Sequence, residues 1–327
     1  MPSTEEMQSH LAAIPNLTVL PGAPLSRYTR FGIGGPADIY VETEDAATFT
    51  VALKCAKSSG LPVMVIGGGT NLIVSDAGYR GIVLRYRGAN ISVQDNRIAV
   101  DAGVDLQTLV DFSIVHGLKG LETLAGIPGW VGAAVYGNAG AYGHSISERV
   151  ESVTFFDGDT VRRFQNAECE FRYRESIFKR RKEWIIFSTL LTLEPADGPT
   201  LREIAEGILK VRNEKFPVTM KCAGSIFKNL LLNELPRQTA AEVPPIAVRE
   251  GKIPAGWFLE QVGAKGMQRG DIHVATYHAN LLYNAGAGTA ADLRALINEL
   301  KRRVRERFGI EIEEEVQYVG WPTCDTA

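Results

Sequence analysis

The chain has 327 residues, 45% of them hydrophobic, enough for a sizeable core and for about two domains. Its formal charge of −3 comes without a block of like charge, which removes the case for a nucleic-acid partner. The four cysteines, Cys55, Cys169, Cys222 and Cys324, stand singly with no C-x-x-C spacing. Neither a zinc site nor a disulfide framework is indicated, and no metal is expected.

Along the chain, the opening MPSTEEMQSHLAAIPNL carries two glutamates and no long apolar run, which argues against a secretory signal. No stretch reaches the roughly 18 apolar residues of a membrane span, so the cytoplasm is the expected compartment. Residues 37–44 read as a strand, 45–60 as a helix with an acidic start and a glycine stop, and 61–68 as a buried strand, together a β-α-β unit. A strand at 82–86 precedes a hairpin at 91–100, whose Asp95-Asn96 suits a tight turn. A helix at 106–118 leads into the segment 122–143, rich in glycine and alanine and read as a long irregular loop. The hairpin 150–164 turns at Asp157-Gly158, and a strand follows at 184–194. The helical pattern from Leu201 to Phe216 stops at Pro217, and prolines punctuate 236–254. Residues 273–284 read as one strand and 289–310 as a helix, with Leu293, Leu296, Ile297, Leu300, Val304 and Phe308 on its buried face. Arginines crowd that helix's C-terminal half, where the macrodipole favours them.

The glycines pose the functional question. FGIGGPADIY (31–40) has the spacing G-x-G-x-x-A, and VIGGGTNLIVSD (65–76) has a glycine triplet after a strand. Neither leads into a helix, as a dinucleotide fingerprint must, and no P-loop spacing occurs. A nest is the physical alternative: residues without Cβ let several backbone amides converge on an oxyanion. Gly67, Gly68, Gly69, Thr70 and Asn71 would then form a phosphate cradle, against the plainer reading of a tight glycine turn. The loop 122–143 would let backbone lie against a flat ligand, so an extended ligand with a diphosphate and rings is expected.

The ordered set YTRFGIGGPAD, VIGGGTNLIVSD, GIPGWVGAAVYGNAGAYG, YRES, AGSIFKN, YHANLLYN and EEEVQYVG resembles the UDP-N-acetylenolpyruvoylglucosamine reductase (MurB) family of peptidoglycan-precursor flavoenzymes, from about Leu25 to Gly320. The resemblance implies an α+β chain: an FAD-binding domain of the PCMH or vanillyl-alcohol-oxidase type, built of two α/β subdomains, plus a smaller α/β substrate-binding domain. Boundaries would fall at 1–24 for an extension, 25–213, 214–312, and 313–327 for a segment returning to the active site. It also implies non-covalent FAD and NADPH as reductant. In the family reaction a hydride reaches C3 of the enolpyruvyl group and a serine protonates C2, giving UDP-N-acetylmuramate.

Carried over by motif, Ser225 in AGSIFKN matches the proton donor, Arg174 in YRES the catalytic arginine and Glu315 the catalytic glutamate. Charge on the enolate suits an arginine fork and a hydrogen-bonded acid. Glu314 stands where the family often has proline, so Glu313, Glu314 and Glu315 compete, and strand alternation would set Glu313 and Glu315 on one face. Flavin contacts implied are Gly67, Gly68, Gly69, Thr70, Asn71, Gly126, Ile127, Pro128, Gly132, Asn138, Gly140, Ala141 and Tyr142. Tyr173, Lys215, Lys228, Asn229, His278 and Asn280 are implied for the UDP-sugar substrate. Leu230 replaces a common proline after AGSIFKN, which predicts a shifted loop exit. The direct run from YRESIFKRRKEW into a strand fits the family form lacking the tyrosine loop. A different FAD oxidase on the same flavin fold is the rival, followed by a non-catalytic flavin-binding sensor; neither needs AGSIFKN with its serine.

Overall fold

The computed structural model describes residues 2–321, so Cys324 lies outside the described residues. Its α+β chain divides into two compact units, neither a continuous stretch. The first comprises 1–23, 37–68 and 80–214; the second comprises 24–36, 69–79 and 215–327.

In the first unit the helix Thr4–Ala12 starts at a capping box, Ser3 and Glu6 each bonding the other's backbone amide, and buries Met7 and Leu11. A four-stranded sheet runs in the order Thr18–Pro21, Ala37–Thr43, Tyr79–Tyr86, Val63–Ile66. Its last pair is parallel, and the helix Ala46–Ser58 carries the chain from Ala37–Thr43 to Val63–Ile66. A five-stranded antiparallel sheet orders Val161–Gln165, Val150–Phe156, Ile185–Thr192, Arg97–Asp101 and Ile91–Gln94. Phe155, Phe164, Phe178 and Trp184 pack edge and face at its outer end. The helices Leu106–Val115 and Gly198–Lys215 complete the core around Leu109, Val110, Leu201 and Ala205.

The segment 122–143, expected to be irregular, contains the helix Val131–Tyr136. Val131, Ala134 and Val135, at helical spacing, are buried, and that packing overrides the poor helix propensity of Gly132.

The second unit carries an antiparallel sheet in the order Lys221–Ser225, Leu281–Asn284, Ile272–Val274, Gln268–Arg269. Residues 273–284, expected as one strand, are two strands joined by a turn that holds Tyr277 and His278. The turn closes through the Leu281 amide on the His278 carbonyl and the Ala275 amide on the Leu281 carbonyl. The helix Ala290–Phe308 buries all six apolar residues read from its sequence stripe and ends at Gly309 with φ 67°. Phe31, Ile33 and Ile73 join its core, and Gln317–Val319 pairs in parallel with Leu72–Val74, which is why 24–36 and 69–79 belong to this unit.

Candidate active site

Ser225 ends the strand Lys221–Ser225 immediately after a β-bulge: Cys222 pairs with Tyr283 and Ser225 with Leu281, two residues opposing one. Gly224, inside the bulge, has φ +78° and nothing within 4 Å of a Cβ built on it. A bulge with a left-handed glycine re-aims the next side chain, so Ser225 stands beside bare, accessible backbone.

The loop after Ser225 is pinned from two directions within the second unit. Asn280 is buried, its Oδ1 accepting from the Phe227 amide at 2.9 Å and its Nδ2 donating to the Phe227 carbonyl at 2.9 Å. With both ends of its amide on the loop backbone, Asn280 is a staple of the serine loop. From the other side Lys228 N donates to the Glu313 carbonyl at 2.9 Å, and Glu315 N donates to the Ile226 carbonyl at 2.7 Å. Glu313 pairs with Lys228 Nζ at 2.6 Å and Glu314 with Lys301 Nζ at 2.9 Å. Burial, and then the Glu314 carboxylate, raise the Tyr318 phenol above its usual range. The backbone of Glu315 is held, since Asn71 Nδ2 donates to its carbonyl at 2.8 Å and Gln317 N donates to the Asn71 carbonyl at 2.9 Å. Asn71 thus ties the last residue of the glycine-triplet loop to the candidate acid. Sequence reasoning assigned it only to the cofactor, because no local pattern signals a contact across so much chain.

His278 Nδ1 accepts from the Asn280 amide at 3.2 Å, which leaves Nε2 as the protonated nitrogen of a neutral ring. Burial, helped by the positive charge of Lys215, holds this imidazole below its ordinary range. Tyr277 Oη donates to the Lys215 carbonyl at 2.9 Å. Asn229 Oδ1 accepts from Ala255 N at 3.4 Å. Leu230 and Leu231 leave the loop as a short strand paired with Lys252–Ile253.

In the first unit, Arg174 Nη2 donates to the Gly140 carbonyl at 2.9 Å and Nη1 to the Asn138 carbonyl at 3.5 Å. Its guanidinium lies 5.2 Å from the Tyr173 ring centroid, and Lys179 Nζ holds its carbonyl at 2.8 Å. Arg174, Asn138 and Tyr142 all have left-handed φ, at 57°, 44° and 54°. Three non-glycine residues in that region within one cluster mark backbone held by its surroundings. Asn138 supplies part of that hold: it is buried, donating to the Arg172 carbonyl at 2.9 Å and accepting from Ser147 N at 3.3 Å. The structure therefore brings Arg174 onto Asn138 and Gly140 of the second glycine-rich segment, with the Tyr173 ring beside its guanidinium.

The glycines separate into two kinds. A Cβ on Gly69 would lie 1.7 Å from the Tyr28 carbonyl oxygen, on Gly132 2.7 Å from Ala102 Cβ, on Gly126 2.9 Å from Leu209 Cδ1, and on Gly140 2.3 Å from the His144 carbonyl oxygen. Packing requires Gly69, Gly132 and Gly140, whereas Gly126 meets only flexible side-chain ends and is required by its φ of +73°. Gly67 is not: its Cβ would meet only Ala133 Cβ at 3.8 Å, so its bare backbone faces open space. An open backbone at the head of a glycine triplet, plus a second segment whose polar residues fix its carbonyls, fits a ligand with a diphosphate and a flat ring.

These features define an FAD-binding protein, and residues 37–163 match the family model of the FAD binding domain. The expected α+β, PCMH-type class is thereby confirmed. Residues 216–319 match UDP-N-acetylenolpyruvoylglucosamine reductase, C-terminal domain. The chain is 66% identical to the UDP-N-acetylenolpyruvoylglucosamine reductase of Solibacter usitatus, over 95% of this chain and 99% of that one. It is 37% identical to that of Rubrobacter xylanophilus, over 91% and 94% of the respective chains. The crystal structure of the Thermus caldophilus MurB superposes with a TM-score of 0.71 at 28% identity, covering 93% of this chain and 98% of that one. The chain belongs to the UDP-N-acetylenolpyruvoylglucosamine reductase family.

Proposed function

We propose that the chain reduces the enolpyruvyl group of its UDP-N-acetylglucosamine ether to UDP-N-acetylmuramate, with NADPH as the electron source, in peptidoglycan precursor synthesis. The observation that carries this reading is Ser225, presented by a bulge beside open Gly224 and joined through Ile226 to the backbone of Glu315. FAD, held by the loop from Gly67 to Asn71 and by residues 126–142, supplies hydride chemistry when bound. Ser225 delivers the proton to C2. Glu315 and the fork of Arg174 stabilise charge developing on the substrate carboxylate, Arg174 being pre-oriented by the carbonyls of Asn138 and Gly140. Neutral His278 offers Nε2–H as a hydrogen-bond donor to the substrate. Lys228 and Asn229 face the substrate phosphates, with Glu313 orienting the lysine. Lys215 and Tyr173 complete the contacts.

Among the described residues no helix is long and apolar enough to cross a membrane. A water-soluble nucleotide substrate and NADPH are both met in the cytoplasm, which we assign as the compartment. The match at 216–319 favours this reading over an oxidase that shares only the flavin domain.

The test separates the two half-reactions by stopped-flow absorbance at the flavin band. Ser225→Ala should leave bleaching by NADPH nearly intact and slow re-oxidation by the enolpyruvyl substrate by ~10²-fold or more, as for a lost general acid. Ser225→Cys should retain more activity. A Ser225→Ala protein slow with NADPH and normal in the second step would make the serine a cofactor contact and overturn the assignment.

A further inference from the structure

Outside the residues assigned above, one cationic side chain of the first unit reaches the head of the glycine triplet. Arg85, in the strand Tyr79–Tyr86, donates from Nε to the Gly67 carbonyl at 3.0 Å. Its guanidinium carbon lies 4.2 Å from the centroid of the Trp130 ring. That ring in turn closes the other side of the loop: a Cβ on Gly68 would meet Trp130 Cδ1 at 3.2 Å. The Arg85 side chain is 14% exposed, so these contacts are made in a largely dry setting where a charge-assisted bond and a cation–π contact count most.

The geometry points to Arg85 and Trp130 as a positioning pair that sets the direction of the Gly68 amide for the FAD diphosphate. This rests on FAD as the ligand of the glycine-triplet loop. In a trans peptide the carbonyl of one residue and the N–H of the next point in opposite directions, and the described residues include no cis peptide. Drawing the Gly67 carbonyl onto Arg85 therefore turns the Gly68 N–H away from Arg85. Trp130 keeps the glycine pair from rotating back, because its ring occupies the space beside Gly68. Glycines have the backbone freedom to lose such an orientation, and the pair removes that freedom before the ligand arrives.

The guanidinium acts here by orientation and not as net charge. Glu42 lies 3.9 Å from Arg85, Arg87 pairs with Glu42 at 2.9 Å and with Glu44 at 4.0 Å, so the local charges balance. Removing Arg85 strands neither neighbour, since Glu42 keeps Arg87 and Tyr40 Oη keeps its bond to Glu42 at 2.5 Å.

The experiment is FAD titration of flavin-stripped wild type and variants, followed by Trp and flavin fluorescence at low and high salt, with the thermal midpoint of each apoprotein measured alongside. Arg85→Gln should raise the Kd for FAD by roughly 10-fold to 100-fold, the range for one lost charge-assisted hydrogen bond, by the same factor at both salt concentrations. Trp130→Val should weaken FAD in the same range, while Trp130→Phe, which keeps a ring, stays near wild type. The apoprotein midpoints should move little. Wild-type affinity in Arg85→Gln overturns the pair, as does an effect confined to low salt, which would make the arginine a charge for the phosphates. A fall in apoprotein midpoint with unchanged FAD affinity makes the role purely structural and also overturns it. If stripped wild type itself does not take up FAD, the assignment of the loop fails first, and that result is separable from the others.

Discussion

Gly67 and Gly69 sit two positions apart and answer to different constraints. Gly69 has φ +67° and a carbonyl oxygen 1.7 Å from where its Cβ would be, so Gly69→Ala should displace backbone and lower the apoprotein's stability by more than the ~1–2 kcal/mol of a left-handed residue alone. Gly67→Ala has room in the protein; its apoprotein should melt like wild type while FAD affinity falls. Thermal melts of both apoproteins and an FAD titration of Gly67→Ala check this, and unchanged affinity would place the diphosphate elsewhere. The sequence showed the triplet but could not rank its members, because the ranking depends on Tyr28, Ala133 and Trp130. Ser225 was legible from AGSIFKN, whereas the Asn280 staple was not, since an amide's two partners lie on a distant loop. His278 gives a pH prediction. Its folded pKa is depressed below the unfolded value of 6.5, so the stability tied to its neutral form is fully present above pH 6.5 and is lost as pH falls. Denaturation from about pH 8 to about pH 5 should show a shallower acid-side loss in His278→Gln than in wild type. Equal slopes would remove His278 from the account.

Among the elements, the helix Ala290–Phe308 has two caps of different origin. Thr289 supplies the local one, its hydroxyl accepting from the Asp292 amide at 3.0 Å. Asp76 supplies the other, its carboxylate oxygens accepting from Ala290 N and Ala291 N at 2.9 Å each. A carboxylate on first-turn amides satisfies two orphan donors and meets the positive end of the macrodipole. Asp76→Ala should cost about 1–2 kcal/mol in urea denaturation, with Asp76→Asn recovering part of it. No loss would mean that Thr289 alone suffices. Most helices and strands were legible because their apolar periodicity is local, as the stripe from Leu293 to Phe308 shows. Two were not. The helix Val131–Tyr136 is made by burial, in a segment whose composition argues against helix, and the 273–284 run hides its turn because apolar residues continue on both sides of His278.

At the scale of the molecule, the chain leaves and re-enters each compact unit, with 24–36 and 69–79 belonging to the second while their sequence neighbours belong to the first. The sequence reading drew its domains as consecutive stretches, since nothing in a strand such as Leu72–Val74 announces that its partner is Gln317–Val319. Expressed alone, 215–327 lacks Phe31, Ile33 and Ile73 of its core and the partner of its last strand. It should show no cooperative unfolding transition by circular dichroism; a sharp transition would show those segments to be accessory.

This interleaving also sets a timetable on the ribosome. Residues 24–36 and 69–79 are made well before Gln317–Val319, the strand that pairs with Leu72–Val74. At about 5–20 residues per second, their apolar side chains wait many seconds without a core, in the state most open to capture by chaperones or by another nascent chain. Completion of the second unit therefore waits for Gln317–Val319, and its pairing with Leu72–Val74 is the contact that closes that window.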